Sequence, residues 1–513
     1  VGASRSFRPY DGTVNGSVED STTVEVDAAV AAATAAAPQL AATPPRRRAV
    51  WWYTVAQALV AAQDELAALA DAETALGTAR LEGEVDRAAG QLRFYSDVAA
   101  EGSHLGIAVD SATETTPELR RVHQPLGPVA VFGASNFPFA FGSLGHDTAS
   151  ALAAGCPVIV KAHPAHPLLS VRLVELAQDA LAAAGAPDGT ISTVHGMAAG
   201  VALVQHPQVR AVGFTGSQGG GLALWRAANE RDVVVPVFAE MGTVNPVVVT
   251  AAGASDPARI AAGYVESFTL GSGQFCTKPG LLLVPSGAGV AAAVADRLAR
   301  TPAPAPLLTR SIAEAAAGGV ADMAAAGARV VARVPGTGAG WAVDTTVLTA
   351  PAAALTGGSR LLEECFAPVS VVVEYASSEE LDGVLSRLQG CLVGAVMTGG
   401  ESDPDAPRVV AQLATKAGRV AVDTWPTGVA LGWAQHHGGP WPATTSPAHT
   451  SVGASALARW VRPVVYQSAP AAWLPDAGRP GNPWGVTRCV DGVREPARRA
   501  EVDHPAASGS SAS

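Results

Sequence analysis

Val129-Ala130-Val131-Phe132-Gly133-Ala134-Ser135-Asn136-Phe137-Pro138 decides the fold. Four apolar residues end in glycine, which reads as a buried strand opening into a turn. Moving outward, Val158-Ile159-Val160-Lys161 reads as the next strand, after a helix that closes over Ser150 to Gly155. A helix from Leu168 to Gly185 leads to Ile191-Ser192-Thr193-Val194, and a shorter one to Ala211-Val212-Gly213-Phe214-Thr215-Gly216-Ser217. Val233 to Phe238 then reads as a strand running to Glu240. Nearly all-apolar strands alternating with helices imply a parallel sheet covered on both faces. Ligands of such sheets sit at the carboxyl ends of the strands, where Asn136, Lys161, Ser217 and Glu240 all fall.

On the amino-terminal side, residues 1–23 are polar and read as extended. Three amphipathic helices are expected over Val24–Ala37, Arg47–Ala70 and Ala72–Gly102, with Pro44-Pro45 between the first two. On the carboxyl-terminal side a second α/β block starts near Asn245-Pro246-Val247-Val248-Val249 and runs to about Val422. Trp425 to Thr450 reads as a long ordered loop, Ala454–Arg462 as helical and Pro463–Tyr466 as a short strand. The chain ends in the low-complexity run Ser508-Gly509-Ser510-Ser511-Ala512-Ser513, and 493–513 is expected to be a disordered tail.

The 513 residues are too many for one ordinary core. Hydrophobic residues are 48% and charged residues 15%, a globular composition. A formal charge of −11 with no basic cluster argues against a nucleic-acid partner. Five widely spaced cysteines without a CxxC or Cys/His cluster give no zinc motif, so no metal is expected, and they fit a reduced, cytoplasmic setting. Val1 to Tyr10 lacks the apolar run of a signal peptide, and Pro, Gly, Ser and Asn interrupt the longest uncharged stretches, which excludes a membrane span.

The chemistry centres on Gly271-Ser272-Gly273-Gln274-Phe275-Cys276-Thr277-Lys278-Pro279-Gly280, followed by the apolar strand Leu281–Val284. Cys276 is either an inert buried thiol or a nucleophile, with Lys278 close enough in sequence to favour a thiolate. Glu240, directly after an apolar run, either pairs with an arginine or serves as a general base whose pKa burial raises. Asn136 is a turn residue before a helix or an oxyanion donor. Lys161 caps its strand in solvent or meets a ribose or phosphate. The loop Phe214 to Gly221, with Gly216, Ser217 and Gly221, is a simple turn or a phosphate site at a helix start.

Asn136-Phe137-Pro138, Lys161, Phe214-Thr215-Gly216-Ser217, Glu240-Met241-Gly242, Gly273-Gln274-Phe275-Cys276 and Glu364-Cys365-Phe366-Ala367-Pro368 stand in one order, and in this the chain resembles the aldehyde dehydrogenase superfamily from about residue 20 to 492. Leu81-Glu82-Gly83-Glu84, Gly90-Gln91-Leu92-Arg93, Pro125 to Pro138, Val160 to Pro167, Pro426-Thr427-Gly428-Val429 and His437-Gly438-Gly439-Pro440 resemble its α-ketoglutaric semialdehyde (2,5-dioxopentanoate) dehydrogenase branch. That branch includes NADP-dependent enzymes acting on long-chain fatty aldehydes.

The resemblance implies an α/β fold with a Rossmann-like cofactor domain (1–106 and 123–240), a catalytic domain (241–450) and a bridging, oligomerising β element (107–122 and 461–492). It implies Cys276 as nucleophile, Asn136 and the Cys276 N–H as oxyanion donors, and Glu240 as the base that hydrolyses a thioester. It places Lys161 and Glu364 at the cofactor riboses, Ser217, Gly216 and Gly221 beside the pyrophosphate, and Phe366 in the cofactor site. Pro164, where NAD-preferring relatives often carry an acid, admits a 2′-phosphate with help from His163, so NADP is expected, with NAD possible. Ala367 replaces the usual glycine of Phe-Gly-Pro, and its methyl can shift the Glu364 loop. Arg87 is the candidate for a substrate carboxylate, the alternative being a surface ion pair with Glu84 or Asp86. Phe137, Phe275 and Trp441 form apolar walls or simply pack. The expected reaction is 2,5-dioxopentanoate to 2-oxoglutarate in a homodimer or homotetramer. Broad fatty-aldehyde oxidation and a catalytically silent scaffold are the alternatives.

Overall fold

The computed structural model describes residues 2–498. The polar start of the chain is an antiparallel hairpin, β1 (Ala3–Phe7) and β2 (Val14–Glu19). Helix α1 (Thr23–Ala42) starts at a capping box between Thr22 and Glu25 and runs beyond the expected Ala37. The helix expected over 47–70 is two, α2 (Pro45–Ala61) and α3 (Gln63–Thr74), with Asp64 and Glu65 in the first turn of the second. Acids there favour a fresh helix N-terminus. Ala75, in the left-handed region at φ 53°, and Gly77 delay α4 to Thr78–Glu101.

Strands β3 (Ala108–Asp110) and β4 (Leu119–Pro125) lead away from this helical layer. Next come β5 (Val129–Phe132), α5 (His146–Ala154), β6 (Val158–Lys161), α6 (Pro167–Ala183), β7 (Ile191–Val194), α7 (Met197–Gln205), β8 (Ala211–Gly216), α8 (Gln218–Asn229) and β9 (Val237–Met241). The five strands form one parallel sheet in the order β7-β6-β5-β8-β9. Val233 and Val234, expected in the last strand, are more than half exposed; pairing begins only past Pro236, whose carbonyl accepts from Val212 N–H at 3.0 Å. Side chains alternate as the two-sided sheet requires. Val129, Val131, Val158 and Val160 enter one core, and Ala130, Phe132 and Ile159 enter the other. Each buried valine contributes roughly 1.5–3 kcal/mol, enough to make a one-residue register slip costly.

The second sheet contains β10 (Asn245–Val249), β11 (Pro279–Pro285), β12 (Arg329–Val334), β13 (Thr345–Pro351), β14 (Val369–Tyr375), β15 (Cys391–Met397) and β16 (Ala417–Val422). Its order is β12-β13-β14-β11-β10-β15-β16, parallel except for β12 against β13. Helices α9 (Pro257–Thr269), α10 (Val290–Leu298), α11 (Arg310–Ala325), α12 (Ser378–Arg387) and α13 (Ala406–Ala414) accompany it. Residues 423–453 are irregular. Ala454–Trp460 is a 3-10 helix, shorter than expected because Val461 and Arg462 already belong to β17 (Val461–Gln467). With β18 (Arg488–Val490) and β19 (Val493–Glu495), β17 completes a third sheet, β17-β4-β3-β18-β19. Val493 to Glu495 therefore pair with β18 where a disordered tail was expected; residues 499–513 of that stretch lie outside the described residues. No helix among the described residues is long and apolar enough to cross a membrane.

Candidate active site

Sheet register brings the first group of residues together. Phe132 at the end of β5 lies beside Lys161 on β6 and Phe214 on β8, and Thr215 pairs with Glu240 on β9. The long irregular segment then runs along the free edge of β9. Met241 N–H donates to Ala443 O at 2.9 Å and Ala239 N–H to Thr445 Oγ1 at 2.9 Å. This carries His437 and Ser451 to Glu240, whose Oε2 accepts from Ser451 Oγ at 2.8 Å and whose Oε1 lies 3.2 Å from His437 Nε2.

Cys276 arrives from the other sheet. After α9 the chain takes three consecutive left-handed residues, Gly271, Ser272 and Gly273, at φ 56°, 54° and 69°. Ser272 is the strained member of the three; its Oγ donates to Ala305 O at 2.9 Å. Gly273 must be glycine, because a Cβ there would sit 2.2 Å from Ala367 O. The buried side chain of Asn245 holds the loop from below, with Nδ2 donating to Cys276 O at 2.8 Å and Lys278 O at 3.1 Å. From above, Asn136 Nδ2 donates to Gln274 O at 2.7 Å. Cys276 Sγ is then 3.6 Å from His437 Nε2.

Electrostatics separate the thiol from its carboxylate neighbour. Burial first, then the charges of Glu240 and Glu364, push the Cys276 thiol well above its ordinary range. Burial also acts to raise the Glu240 carboxyl, but His437, Ser451 and the Cys276 thiol together outweigh it and hold the group below its ordinary range. The resting site is thus a thiol beside a carboxylate. Lys278 does not assist the thiolate. Its ammonium turns away and donates to Cys365 O at 2.8 Å and Val369 O at 2.6 Å, bracing the segment that carries Glu364.

A cavity of about 810 Å³ runs from Cys276, Glu240 and Asn136 to Lys161, His163, Gly216, Ser217, Glu364 and Phe366. Ser217 caps α8, its Oγ accepting from Gly220 N–H at 3.2 Å. Gly221 packs closely on Met241, whose Sδ would have to shift to admit a Cβ, 2.7 Å away as it stands. Lys161 is buried and its ammonium has no hydrogen bond among the described residues; burial lowers its pKa to about 8 despite Asp20. Glu364 Oε1 is likewise buried without a partner, and burial raises that carboxyl. An unpaired donor, an unpaired acceptor and a glycine-rich helix start along one cavity fit a dinucleotide with ribose hydroxyls and a pyrophosphate. His163, stacked on His166, is held neutral by burial with help from His166 and Lys161. Ala367 is buried in the core of the second sheet, and Glu364 still lines the cavity.

The remaining residues divide. Phe137 stacks edge-on with Phe275 at 5.0 Å, and Arg87 lies over Phe137 and Phe141 at 5.5 and 5.7 Å. Arg87 makes no ion pair with Glu84 or Asp86 among the described residues. Its Nη2 donates to Val429 O at 3.1 Å, while Glu84 accepts from the N–H groups of Phe139 and Ala140. Arg80, which sequence reasoning passed over, lies over Phe137 and Phe275 at 5.0 and 5.3 Å and donates to Asn136 O at 2.7 Å. Trp441 is not brought to this wall. It is 52% exposed and packs edge-on against Trp225 of α8, because its segment follows the outer edge of β9. His437, Ser451 and Asn245 are the other residues missed. His437 stood within a recognised His-Gly-Gly-Pro motif, which was the available signal.

A cavity that combines these dinucleotide-fitting groups with Cys276 and Glu240 at its end fits a nucleotide-dependent dehydrogenase. The chain belongs to the aldehyde dehydrogenase family, whose model matches residues 2–441. It is 43% identical to an alpha-ketoglutaric semialdehyde dehydrogenase 2 of Azospirillum brasilense, over 86% of each chain. It is 37% identical to an alpha-ketoglutaric semialdehyde dehydrogenase of Acinetobacter baylyi, over 84% of each. Among solved structures it resembles 1-pyrroline-5-carboxylate dehydrogenase from Thermus with bound NAD, with a TM-score of 0.79, 21% identity and coverage of 91% of this chain and 90% of that one.

Proposed function

We propose that this aldehyde dehydrogenase oxidises 2,5-dioxopentanoate to 2-oxoglutarate, using NADP ahead of NAD. The reading rests on the triad Cys276, His437 and Glu240 at the end of the dinucleotide-shaped cavity, together with the two semialdehyde dehydrogenase relatives. The resting thiol must lose its proton to attack, and His437 Nε2 at 3.6 Å is assigned as its acceptor, leaving the neighbouring Glu240 for the later step. The Sγ–C bond forms as the aldehyde oxygen gains charge. The second Nδ2 proton of Asn136, the first being held by Gln274 O, and the Cys276 N–H receive that oxyanion. A nicotinamide held at the Cys276 end of the cavity would supply the hydride acceptor, and the adduct on Sγ, having lost hydride, is a thioester. Glu240, ionised and with Oε1 free of hydrogen bonds, takes a proton from water, which attacks the thioester and frees Cys276.

Lys161 and Glu364 are assigned to the riboses, Ser217, Gly216 and Gly221 to the pyrophosphate, and Phe366 to the nicotinamide end. Pro164 and a neutral His163 leave room for a 2′-phosphate without a repelling carboxylate. Residues 1–106 with 123–240 are assigned to cofactor binding, 241–450 to catalysis, and the third sheet to assembly as a homodimer or homotetramer. Arg87 is assigned to the distal carboxylate of the substrate. The Phe137, Phe141 and Phe275 rings favour a second reading, oxidation of long aliphatic aldehydes. Initial rates on 2,5-dioxopentanoate and on a long aliphatic aldehyde, with NADP and NAD side by side, decide between them. A preference for the dioxo acid, lost in Arg87→Ala, is expected. A preference for the aliphatic aldehyde sinks the substrate assignment and leaves the Cys276 chemistry in place.

A further inference from the structure

We propose that Cys276, His437 and Glu240 also form a preorganised three-ligand site for Zn²⁺, and that zinc seated there reversibly silences the enzyme. Their ligand atoms all lie within 4.8 Å of one another. Tetrahedral zinc with bonds of about 2.3 Å to sulfur and 2.0–2.2 Å to nitrogen and oxygen sets ligand-to-ligand edges of about 3.6 Å for S···N and about 3.4 Å for N···O. The protein holds Sγ···Nε2 at 3.6 Å and Nε2···Oε1 at 3.2 Å. Two of the three edges therefore match before any metal arrives. Oε1 is buried without a hydrogen bond although Nε2 is near, so the pair is close but poorly aligned for sharing a proton. A cation between them satisfies both.

The donor set is one thiolate, one imidazole and one carboxylate, which suits Zn²⁺ or Co²⁺ and disfavours the hard ions Mg²⁺ and Ca²⁺. Cys276 and Glu240 line the open cavity, so a fourth position remains for water, and nucleotide and aldehyde approach by the same space. On binding, the Sγ–H bond breaks, the proton passes to solvent and an Sγ–Zn bond forms; Nε2 offers its lone pair while Nδ1 keeps the ring proton. No electron changes hands. The 161-residue gap between Cys276 and His437 explains why no local metal motif exists. Zinc takes the lone pair that attack on the aldehyde needs, so binding and turnover exclude each other.

Cobalt reports the site without reference to activity. The full-length protein, stripped with a chelator, is titrated with Co²⁺ alone and followed by absorbance. One equivalent is expected to give a thiolate-to-cobalt charge-transfer band and tetrahedral d–d bands, both abolished by one equivalent of Zn²⁺. Cys276→Ser should remove the charge-transfer band. His437→Ala and Glu240→Gln should each weaken cobalt binding at least about tenfold; should His437→Ala fail to fold, Glu240→Gln carries the test. Zinc should inhibit aldehyde oxidation competitively with aldehyde, and EDTA should restore it. A band that survives Cys276→Ser, or cobalt affinity within twofold of the parent in the folded ligand variants, overturns the proposal. Because the bands do not depend on which aldehyde is oxidised, a wrong substrate assignment leaves this outcome unchanged.

Discussion

Glu240 acts on Cys276 in two opposite senses. Its charge helps keep the thiol protonated, and in the proposed mechanism its free oxygen is the base for the later hydrolysis. Glu240→Gln separates the two. Removing the negative charge is expected to move thiol ionisation to lower pH, read as a lower midpoint in the pH dependence of Cys276 alkylation by iodoacetamide. The sign follows from Glu240 being a cause that raises the thiol pKa. The same variant should still reduce one equivalent of nicotinamide per site in a burst and then stall as the thioester, with turnover about 10²–10⁴-fold lower. Steady turnover at the parent rate would remove Glu240 from the hydrolytic step. His437→Ala should instead suppress the burst itself by about 10²–10⁴-fold, since the proton acceptor assigned to Sγ, at 3.6 Å, is gone. Cys276, Glu240 and Asn136 were legible as candidates because each stands in a short motif whose residue type fits the proposed chemistry, and the fold brings all three to one cavity. His437 was visible only as part of a motif, because its partner lies 161 residues away and the pairing exists only in the folded chain.

At the scale of elements, the Cys276 loop and the Glu364 segment are one mechanical unit. Gly273 touches Ala367 O, and Lys278 holds the carbonyls of Cys365 and Val369. Gly273→Ala combines a left-handed φ of 69° with a contact at 2.2 Å to backbone. A loss of about 1–3 kcal/mol is expected, measured by urea unfolding, together with slower alkylation of Cys276. Lys278→Met removes two buried hydrogen bonds, although Cys365 O keeps the N–H of Ala367 at 2.8 Å, and should cost about 1–3 kcal/mol. It should also raise the cofactor KM through Glu364, while the pH midpoint of Cys276 alkylation stays at the parent value. A higher midpoint would restore Lys278 as the thiolate's counter-charge, the role its sequence position suggested. That suggestion failed because two residues along a turn reverse the direction of a side chain, which spacing alone does not encode. The parallel strands, by contrast, were readable from their apolar runs. The breaks at Ala62 and Ala75 were not, because alanine carries no turn signal.

For the whole molecule, the two parallel sheets contribute different parts of one site, and the third sheet stands apart from both. Among the described residues its strand β17 pairs with β4 on one side only, so the other side is an open edge there, with Val465 55% exposed. An unpaired edge carrying exposed apolar residues is a template for strand addition from another chain. Pro463 within it still pairs opposite His123, which agrees with the rule that proline is tolerated in edge strands. If this edge carries the proposed homodimer or homotetramer, Val465→Lys should blunt it as edge lysines do. Sedimentation velocity is expected to show the parent as an oligomer and the variant shifted toward monomer with an unchanged circular dichroism spectrum. Retained thiol reactivity at Cys276 in the variant would show that each site is complete within one chain, as the triad, Asn245 and the cavity residues, all drawn from a single protomer, require. A parent that sediments as a monomer sinks the assignment of this sheet to assembly, whatever the variant does.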